Sequence, residues 1–124
     1  MKKLLIKIAV KIKDATYYSI NGLNAVFKDE FAFRLELIVG LIALPLAVFF
    51  GKSALERAVL ISVLIIVLIA ELLNSAIETT LNRIDLNWHP LTKKAKDMGS
   101  AAVFLSIMNA LIVWLIIIIP HYCS

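Results

Sequence analysis

Residues 58–84 read AVLISVLIIVLIAELLNSAIETTLNRI, an apolar run that continues into a polar stripe. In its first thirteen residues Ser62 is the only polar side chain. An α-helix has 3.6 residues per turn, so positions i, i+3, i+4 and i+7 share one face over two turns. In the second half of the stretch these positions carry Glu71, Asn74, Ser75 and Glu78. The stretch therefore predicts a long, membrane-grade helix with one polar stripe near its end.

The composition of the chain is typical of a membrane protein. Of its 124 residues 61% are hydrophobic, and the mean hydropathy is +0.91, well outside the range of soluble domains. We expect one membrane domain over residues 1–124. The net charge of +4 is modest, which makes nucleic acid a poor candidate partner. Cys123 is the only cysteine, so no intrachain disulfide can form.

Three helices are predicted to cross the membrane, at about residues 33–51, 55–82 and 97–119. Each approaches the roughly 20 apolar residues that a hydrocarbon core of about 30 Å requires. Pro45 lies near the middle of the first span, where neighbouring helices can satisfy the carbonyl that it frees, and Pro120 closes the third span. The predicted class is an all-α membrane protein with three transmembrane helices.

Residues 1–31 are predicted to form an amphipathic region in the membrane interface. Lysines recur every four residues on one face and apolar residues recur on another, which is the pattern of a basic amphipathic helix. The lysines are Lys3, Lys7 and Lys11, and the apolar residues are Leu5, Ile8 and Ile12. Lysines also interrupt the apolar core that a signal peptide needs, so we expect this region to remain in the mature protein. Asn21-Gly22 predicts a break within it.

The lysines and arginines predict the orientation of the spans. Seven precede the apolar part of the first span and four lie between the second and third, whereas the turn between the first two has only Lys52 and Arg57. The positive-inside rule therefore places the N-terminus and the second loop, Asp85 to Leu91, in the cytoplasm. Glu71 lies roughly 24 Å along the helix axis from Leu55 at 1.5 Å per residue, inside the apolar layer near its inner edge.

Glu71 is the residue of the stripe that most needs an explanation. A carboxylate within a span costs on the order of 2.5–3.5 kcal/mol on insertion scales, and such groups usually face a bundle interior or a pocket and carry function. The structural alternative is an interhelical hydrogen bond, or a helix end that surfaces in the headgroups with Asn74 and Glu78 snorkelling. Because several polar residues share one face, the pattern favours a functional site.

The stretch TKKAKDMGSAAV, residues 92–103, supplies the second half of the predicted site. Lys96 and Asp97 stand at the inner mouth of the third span. Lys96 either pairs with Glu71 and Glu78 or binds phosphate as a point charge. Close helix packing is the favoured interpretation of the small residues that follow, namely Gly99, Ala101 and Ala102.

The stretch KDEFAFRLE, residues 28–36, adds carboxylates where the interfacial region meets the first span. Mixed charge of this kind is usually a solvated interface. Glu30 and Glu78 are nevertheless expected at similar depth, and carboxylate and phosphate oxygens are the ligands that Mg²⁺ prefers. The chain has no P-loop, dinucleotide-binding or kinase catalytic-loop motif. Phosphoryl transfer would need a base, a cation and a metal, and Glu71, Lys96 and the two glutamates could fill these roles.

Two blocks of sequence carry a family resemblance. The first is Glu71-x-x-Asn74-Ser75-Ala76-Ile77-Glu78 with Arg83-Ile84, and the second is Ala95-Lys96-Asp97-Met98-Gly99-Ser100-Ala101-Ala102-Val103. Both blocks at this separation, in a three-span chain of this length, resemble the bacterial integral-membrane diacylglycerol kinase family. The likeness covers nearly the whole chain, including the Gly22-Leu23 step and the run Glu30-x-x-Phe33-Arg34-x-Glu36.

The resemblance implies a homotrimeric bundle of three-span subunits, each with an N-terminal surface helix, in the bacterial cytoplasmic (inner) membrane. The implied reaction phosphorylates diacylglycerol from MgATP and gives phosphatidic acid. Glu71 is the implied general base, acting with Asn74 and Lys96, while Glu30 and Glu78 are the implied Mg²⁺ ligands. Nucleotide contacts are implied for Lys11, Tyr18, Glu30, Glu78, Asn87, Trp88, His89, Lys96 and Asp97. Lipid contacts are implied for Phe31, Ala32, Phe33, Arg34, Leu35, Glu36, Arg57, Glu71 and Ser100.

The chain departs from the enterobacterial pattern of this family at several positions. Lys11 stands where an arginine is common, which exchanges a bidentate phosphate fork for a point charge. Asn24 replaces a basic residue, Asn82 an aspartate and Asn87 a glutamate.

Two alternative functions remain open from the sequence. The His89-Pro90-Leu91 turn is similar to the related undecaprenol kinases of Gram-positive bacteria, whereas Met98-Gly99-Ser100 favours the diacylglycerol branch. A non-enzymatic membrane oligomer, such as a small channel or an accessory subunit, would explain the polar stripe. It would leave Lys96, Asp97 and Glu30 without a purpose.

Overall fold

A computed structural model of the chain describes residues 1–123, which form four helices joined by short connections. The helices are α1 (Lys2–Asp29), α2 (Phe31–Phe50), α3 (Ala54–Ile84) and α4 (Pro90–Tyr122). No strand occurs within residues 1–123, and the predicted all-α class is confirmed. The chain divides into two compact units, one of residues 1–31 and one that begins at Ala32.

Helices α2, α3 and α4 are each long and apolar enough to cross a membrane, as the sequence predicts. The 20 residues of α2 match a hydrocarbon core of about 30 Å. The 31 residues of α3 and the 33 residues of α4 extend over roughly 46 Å and 50 Å at 1.5 Å per residue. These two helices are therefore longer than the apolar layer, and their turns next to residues 85–89 carry charged residues such as Arg83 and Lys93.

Several residues that commonly break or end helices do not interrupt the helices of this protein. The predicted break at Asn21-Gly22 is not formed, because α1 continues through both residues and no described residue has a positive φ. Pro45 lies inside an unbroken α2. Helix α4 continues past Pro120 to Tyr122. It begins at Pro90, ahead of the span predicted at residues 97–119, because proline at the first helical position lacks only an N–H that would be unpaired there.

Helices α3 and α4 form the closely packed pair of the second unit. The short loop of residues 85–89 joins them, which makes them antiparallel neighbours. Leu60 of α3 is fully buried, and Ser106 and Ala110 of α4 are buried small residues that allow close approach. The indole Nε1 of Trp114 donates a hydrogen bond to the Leu60 carbonyl oxygen at 3.3 Å. This bond adds a polar contact to the packing of α4 against α3.

The turn between α2 and α3 is held by hydrogen bonds that cap both helices. The Ser53 hydroxyl accepts a bond from the Glu56 N–H at 3.1 Å, and the Glu56 carboxylate accepts one from the Lys52 N–H at 2.8 Å. Arg57 Nε donates to the carbonyls of Val48 at 3.1 Å and Gly51 at 2.9 Å. Arg57 thereby satisfies carbonyls that the end of α2 leaves unpaired.

The C-terminal turn of α4 packs against the turn between α2 and α3. His121 Nε2 lies 3.0 Å from Glu56 Oε1, and the Tyr122 ring stands edge-on to the Phe50 ring with centroids 5.3 Å apart. The Lys52 ammonium lies 5.4 Å from the centre of the Tyr122 ring, within cation–π distance. We call this group of residues around the 51–53 turn the turn end, and the opposite end near residues 85–89 the loop end.

Replacing Arg57 with glutamine is expected to lower the free energy of unfolding by about 1 kcal/mol, because the carbonyls of Val48 and Gly51 lose a charged donor. Thermal unfolding in detergent micelles measures the effect as a lower Tm. Arg83→Gln is the matched control, since Arg83 is exposed at the loop end of the same helix, and we expect a smaller change for it. Equal Tm values for the two variants would contradict a capping role for Arg57.

Candidate functional site

The polar stripe of α3 faces inwards. Glu71 is 5% exposed and Ser75 is 7% exposed, whereas the apolar Leu73 between them is 60% exposed. Asn74 and Glu78 are partly buried. The prediction that these residues share one face of a continuous helix is confirmed. An orientation with polar groups inside and apolar groups outside suits a helix surrounded by lipid.

Two polar atoms of this stripe are buried without a partner. Asn74 Oδ1 and Ser75 Oγ make no hydrogen bond within residues 1–123. An unsatisfied buried acceptor costs roughly 1–3 kcal/mol, so native proteins keep few of them, and each needs an explanation such as an ion or another bound group. The stripe therefore has free acceptor capacity at the point where the sequence predicts chemistry.

Gly99 of α4 lies directly against Asn74. Gly99 is buried, and a Cβ atom added to it would lie 3.3 Å from Asn74 Cγ and would overlap Asn74 Oδ1. Only glycine leaves room for the amide at this distance between the two helices. The packing role predicted for Gly99 is confirmed. The same role is not observed for Ala101 and Ala102, which are exposed.

A second carboxylate, from α2, approaches Glu71. Glu36 is close enough to Glu71 for the two charges to interact, and Glu36 Oε2 is buried with no hydrogen-bond partner in the described part of the chain. Glu36 also borders a cleft of about 400 Å³ among α2, α3 and α4, whose lining is predominantly apolar. Carboxylates from two different helices therefore interact, and the one on α2 borders an apolar space.

Lys96 links the beginning of α4 to the end of α3. Its ammonium donates a hydrogen bond to Asn82 Oδ1 at 3.0 Å, one helical turn beyond Glu78. The pairing with Glu78 that the sequence left open is not formed within residues 1–123. An ammonium has three donors, so two remain for phosphate oxygens. The neighbouring Asp97 carboxylate is paired with Lys93 Nζ at 2.6 Å.

The loop between α3 and α4 is exposed and organised by side-chain caps. The Asp85 carboxylate accepts a bond from the Asn87 N–H at 2.9 Å, and His89 Nδ1 accepts one from the Leu91 N–H at 3.1 Å. His89 is thus the N-cap of α4, a role that sequence reasoning missed although Pro90 at the next position signals a helix start. Trp88 is 76% exposed, as suits a residue available to a ligand.

The remaining predicted site residues lie on other parts of the chain. Lys11 and Tyr18 are exposed on α1, and Glu30 is a partly buried residue at its end. Of the residues predicted to contact lipid, Phe33 is buried, Arg34 is partly buried, and Phe31, Ala32, Leu35 and Ser100 are exposed. Arg57 caps α2 at the turn end, roughly 21 Å along α3 from Glu71.

The stripe of α3 includes oxygen donors of the type that a hard divalent cation prefers. No group of three or more histidine, cysteine, aspartate or glutamate residues within residues 1–123 forms a metal cluster. Mg²⁺ in nucleotide sites is held by one or two carboxylates together with phosphate oxygens and water. Glu78, one turn beyond Asn74 on the same face of α3, offers one such carboxylate. This donor set suits Mg²⁺ on a phosphate chain and does not suit a dedicated metal cage.

Comparison with known proteins places the chain in a family. The family model described as "Prokaryotic diacylglycerol kinase" matches residues 17–118. The chain is 44% identical over 109 residues to the diacylglycerol kinase of Pseudomonas aeruginosa, covering 88% of this chain and 89% of that protein. It is 44% identical over 101 residues to the enzyme of Haemophilus influenzae, covering 82% and 86%. It is 43% identical over 112 residues to the enzyme of Escherichia coli K12, covering 90% and 92%.

These relatives decide between the classes that the sequence left open. They are bacterial kinases, and the chain has three helices that can span a membrane, so it is a bacterial membrane protein. The alternative hypothesis of a non-enzymatic membrane oligomer is wrong, because the chain matches most of the length of an enzyme at 44% identity. The chain is an enzyme and belongs to the prokaryotic diacylglycerol kinase family, a family of lipid kinases.

Proposed function

We propose that the chain transfers the γ-phosphate of MgATP to the hydroxyl of diacylglycerol and so forms phosphatidic acid. The observation that carries the proposal is the buried stripe of Glu71, Asn74 and Ser75 in an otherwise apolar helix. The names of the relatives support diacylglycerol as the acceptor. The alternative acceptor is undecaprenol, another lipid alcohol.

Glu71 acts as the general base in this proposal. The residue is buried on α3 and its charge interacts with that of Glu36 on α2, and we place the lipid alcohol at this level of the membrane. The lipid hydroxyl gives its proton to Glu71 while its oxygen forms a bond to the γ-phosphorus. The bond between the γ-phosphorus and the bridging oxygen breaks, and ADP leaves with the electron pair. General-base assistance of this kind contributes roughly 10²–10⁴-fold to a rate.

Lys96, Glu78 and Asn74 handle the phosphate end of the reaction. Lys96, held by Asn82, offers its remaining donors to phosphate oxygens as negative charge moves during transfer. Glu78 would hold Mg²⁺, with Glu30 as the second carboxylate, and Asn74 lies one turn before Glu78 on α3. A bound metal would supply positive charge against the phosphates. The other contacts remain as the family resemblance implies them: Lys11, Tyr18, Asn87, Trp88, His89 and Asp97 for the nucleotide, and Phe31 to Glu36, Arg57 and Ser100 for the lipid.

The proposed enzyme is a homotrimer in the bacterial inner membrane, with its N-terminus and the loop end in the cytoplasm. The concentration of lysine and arginine in residues 1–34 and 83–96 supports this orientation. ATP is available on that side, and the loop end carries Lys96 and Glu78. The family resemblance supports the trimer.

One assay tests the reaction and the acceptor together. Purified protein in mixed micelles is incubated with γ-labelled ATP and diacylglycerol, undecaprenol or neither lipid, and the lipid extract is separated. We expect label in phosphatidic acid with diacylglycerol and little label in the other two samples. Preferential labelling of undecaprenol would show that undecaprenol, and not diacylglycerol, is the acceptor. No lipid labelling in any sample, from protein shown to be folded, would refute the proposal.

Replacing Asn82 with alanine is expected to raise the KM for ATP roughly 2- to 10-fold, the equivalent of one lost hydrogen bond, because Lys96 is no longer positioned. The kcat should change less than KM. Asn82→Asp restores an acceptor for Lys96 and should recover most of the affinity. An unchanged KM in Asn82→Ala would show that the contact between the two residues does not position Lys96 for the nucleotide.

A further inference from the structure

The last turn of α4 depends on side-chain contacts for its position. Pro120 lies inside α4 and has no N–H, which removes the backbone hydrogen bond to the carbonyl four residues earlier. The Cys123 N–H still donates to the Ile119 carbonyl at 2.9 Å. With one backbone bond missing at Pro120, the contacts that His121 and Tyr122 make at the turn end gain importance.

These contacts reach the ends of both other helices that can cross a membrane. The Tyr122 ring meets the Phe50 ring of α2, and His121 Nε2 lies 3.0 Å from Glu56 Oε1 of α3. The His121 and Glu56 side chains are 25% and 27% exposed, so water screens the pair only in part. The other carboxylate oxygen of Glu56 accepts the Lys52 N–H at 2.8 Å, which holds the carboxylate in place. An ionised carboxylate only accepts hydrogen bonds, so Nε2 is the donor.

The strength of the contact between His121 and Glu56 depends on pH. Histidine is the side chain that ordinarily changes its charge between about pH 5 and 8. At the acidic end of this range a protonated His121 is a cation against the Glu56 carboxylate, and Coulombic attraction adds to the hydrogen bond. At the basic end only the hydrogen bond from a neutral ring remains. The contact is therefore stronger in acid and weakens as the pH rises.

The other charged groups near His121 keep their charge over this range. Lysine, arginine and tyrosine titrate at about pH 10 or above. The Lys52 ammonium lies over the Tyr122 ring, and Arg57 Nε is bonded to carbonyls at the end of α2. Helix α2 ends on the uncharged Phe50. The charged and titratable groups of the surrounding elements are Lys52 in the turn, Glu56 and Arg57 in α3, and Tyr122 and Cys123 beside His121.

We propose that the last turn of α4, residues 120–122, is a pH-dependent latch, which the His121–Glu56 pair closes on the α2–α3 turn in acid and loosens when His121 loses its proton. The latch joins the ends of α2, α3 and α4. It does not require the kinase reaction. Only the side of the membrane on which it lies rests on the proposed function, whose orientation places the turn end outside the cytoplasm, where the pH follows that of the surroundings.

The proposal is tested on the full chain in detergent micelles. Cys123 is exposed and is the only cysteine, so it takes one nitroxide label next to the latch without any substitution. We expect the electron paramagnetic resonance spectrum to show slow motion of the label at about pH 5 and faster motion at about pH 8. The ratio of latched to released protein should fall by up to roughly fivefold, the scale of a partly exposed ion pair.

Three variants identify His121 as the cause. His121→Gln removes the titrating group, so its spectrum should be the same at both pH values. His121→Arg keeps a cation at both and should show slow motion throughout. His89→Asn is the matched control, because His89 is the other of the two histidines and asparagine retains an acceptor for the N-cap of α4. This variant should respond to pH as the parent does.

A second measurement needs no label. The Tm is measured for the parent, His121→Gln, Glu56→Gln and the double variant, and the cycle gives the coupling between the two side chains. We expect coupling at about pH 5 and little at about pH 8.

Three outcomes would overturn the proposal. The first is a parent spectrum that does not change with pH. The second is a pH response that survives in His121→Gln, which would assign it to another group, such as the Glu36 and Glu71 pair that this variant retains. The third is equal coupling at both pH values. Neither readout depends on turnover, so failure of the latch is distinct from failure of the proposed kinase reaction.

Discussion

Replacing Glu71 with glutamine is expected to lower the turnover number for lipid phosphorylation by roughly 10²–10⁴-fold, the contribution of a general base. Glutamine keeps the shape of the side chain and removes its capacity to take a proton. Glu71 is 5% exposed, so no solvent water stands ready to replace it. We expect the KM for ATP to change little, because the proposal assigns Glu71 to the acceptor and not to the nucleotide. Steady-state kinetics in mixed micelles, on protein of unchanged Tm and size, measure both constants.

Glu56→Gln is the matched control for this variant. Glu56 lies in the first turn of the same helix, at the turn end, where it contacts Lys52 and His121. Its replacement is expected to lower the Tm through the loss of these contacts and to leave turnover near that of the parent. Near-parental turnover in a folded Glu71→Gln protein would remove Glu71 from the mechanism. A similar loss of turnover in both variants would show that substitutions in α3 lower activity by destabilising the protein, and not by removing a base.

Sequence reasoning was successful where the determinant is local. The helical period of 3.6 residues is sufficient to predict that Glu71, Asn74 and Ser75 lie on one face. The structure has them there, because α3 is continuous and the face of each residue follows from its position in the sequence. Length and apolarity likewise predict three spans. The break expected at Asn21-Gly22 does not form, because the local signal for it is weak. A glycine costs a helix only about 1 kcal/mol, which its neighbours in α1 outweigh.

The partners of the polar residues were not predictable from the sequence, because they depend on how α4 is rotated and placed against α3. The contact of Lys96 with Asn82 and that of Trp114 with the Leu60 carbonyl join residues far apart in the chain. Nothing local distinguishes Asn82 from Glu78 as the acceptor for Lys96. The N-cap at His89 and the Ser53 cap with Glu56 are different, since both have local signals that an analysis of helix starts would find.

Gly99→Ala is the substitution expected to disturb the site most without touching a titratable group. The added methyl would overlap Asn74 Oδ1, so either the amide rotates away or α4 moves outwards. Overpacking of this kind costs roughly 1–3 kcal/mol, and a displacement of about 1 Å at a reacting site costs on the order of 10²-fold in rate. We therefore expect a lower Tm and a turnover number reduced about 100-fold, measured by thermal unfolding and the lipid phosphorylation assay.

Gly40→Ala is the matched control, because a Cβ at Gly40 meets no atom within 4 Å. Alanine is the better helix former by roughly 1 kcal/mol, so this variant should unfold at the same or a higher temperature. A double variant separates packing from chemistry: Asn74→Ala removes the atom that the new methyl strikes and should restore much of the Tm lost in Gly99→Ala. Turnover should stay low, because Asn74 is itself part of the proposed site. If Gly99→Ala has the Tm and the turnover of the parent, the close contact between α3 and α4 at this level does not shape the site.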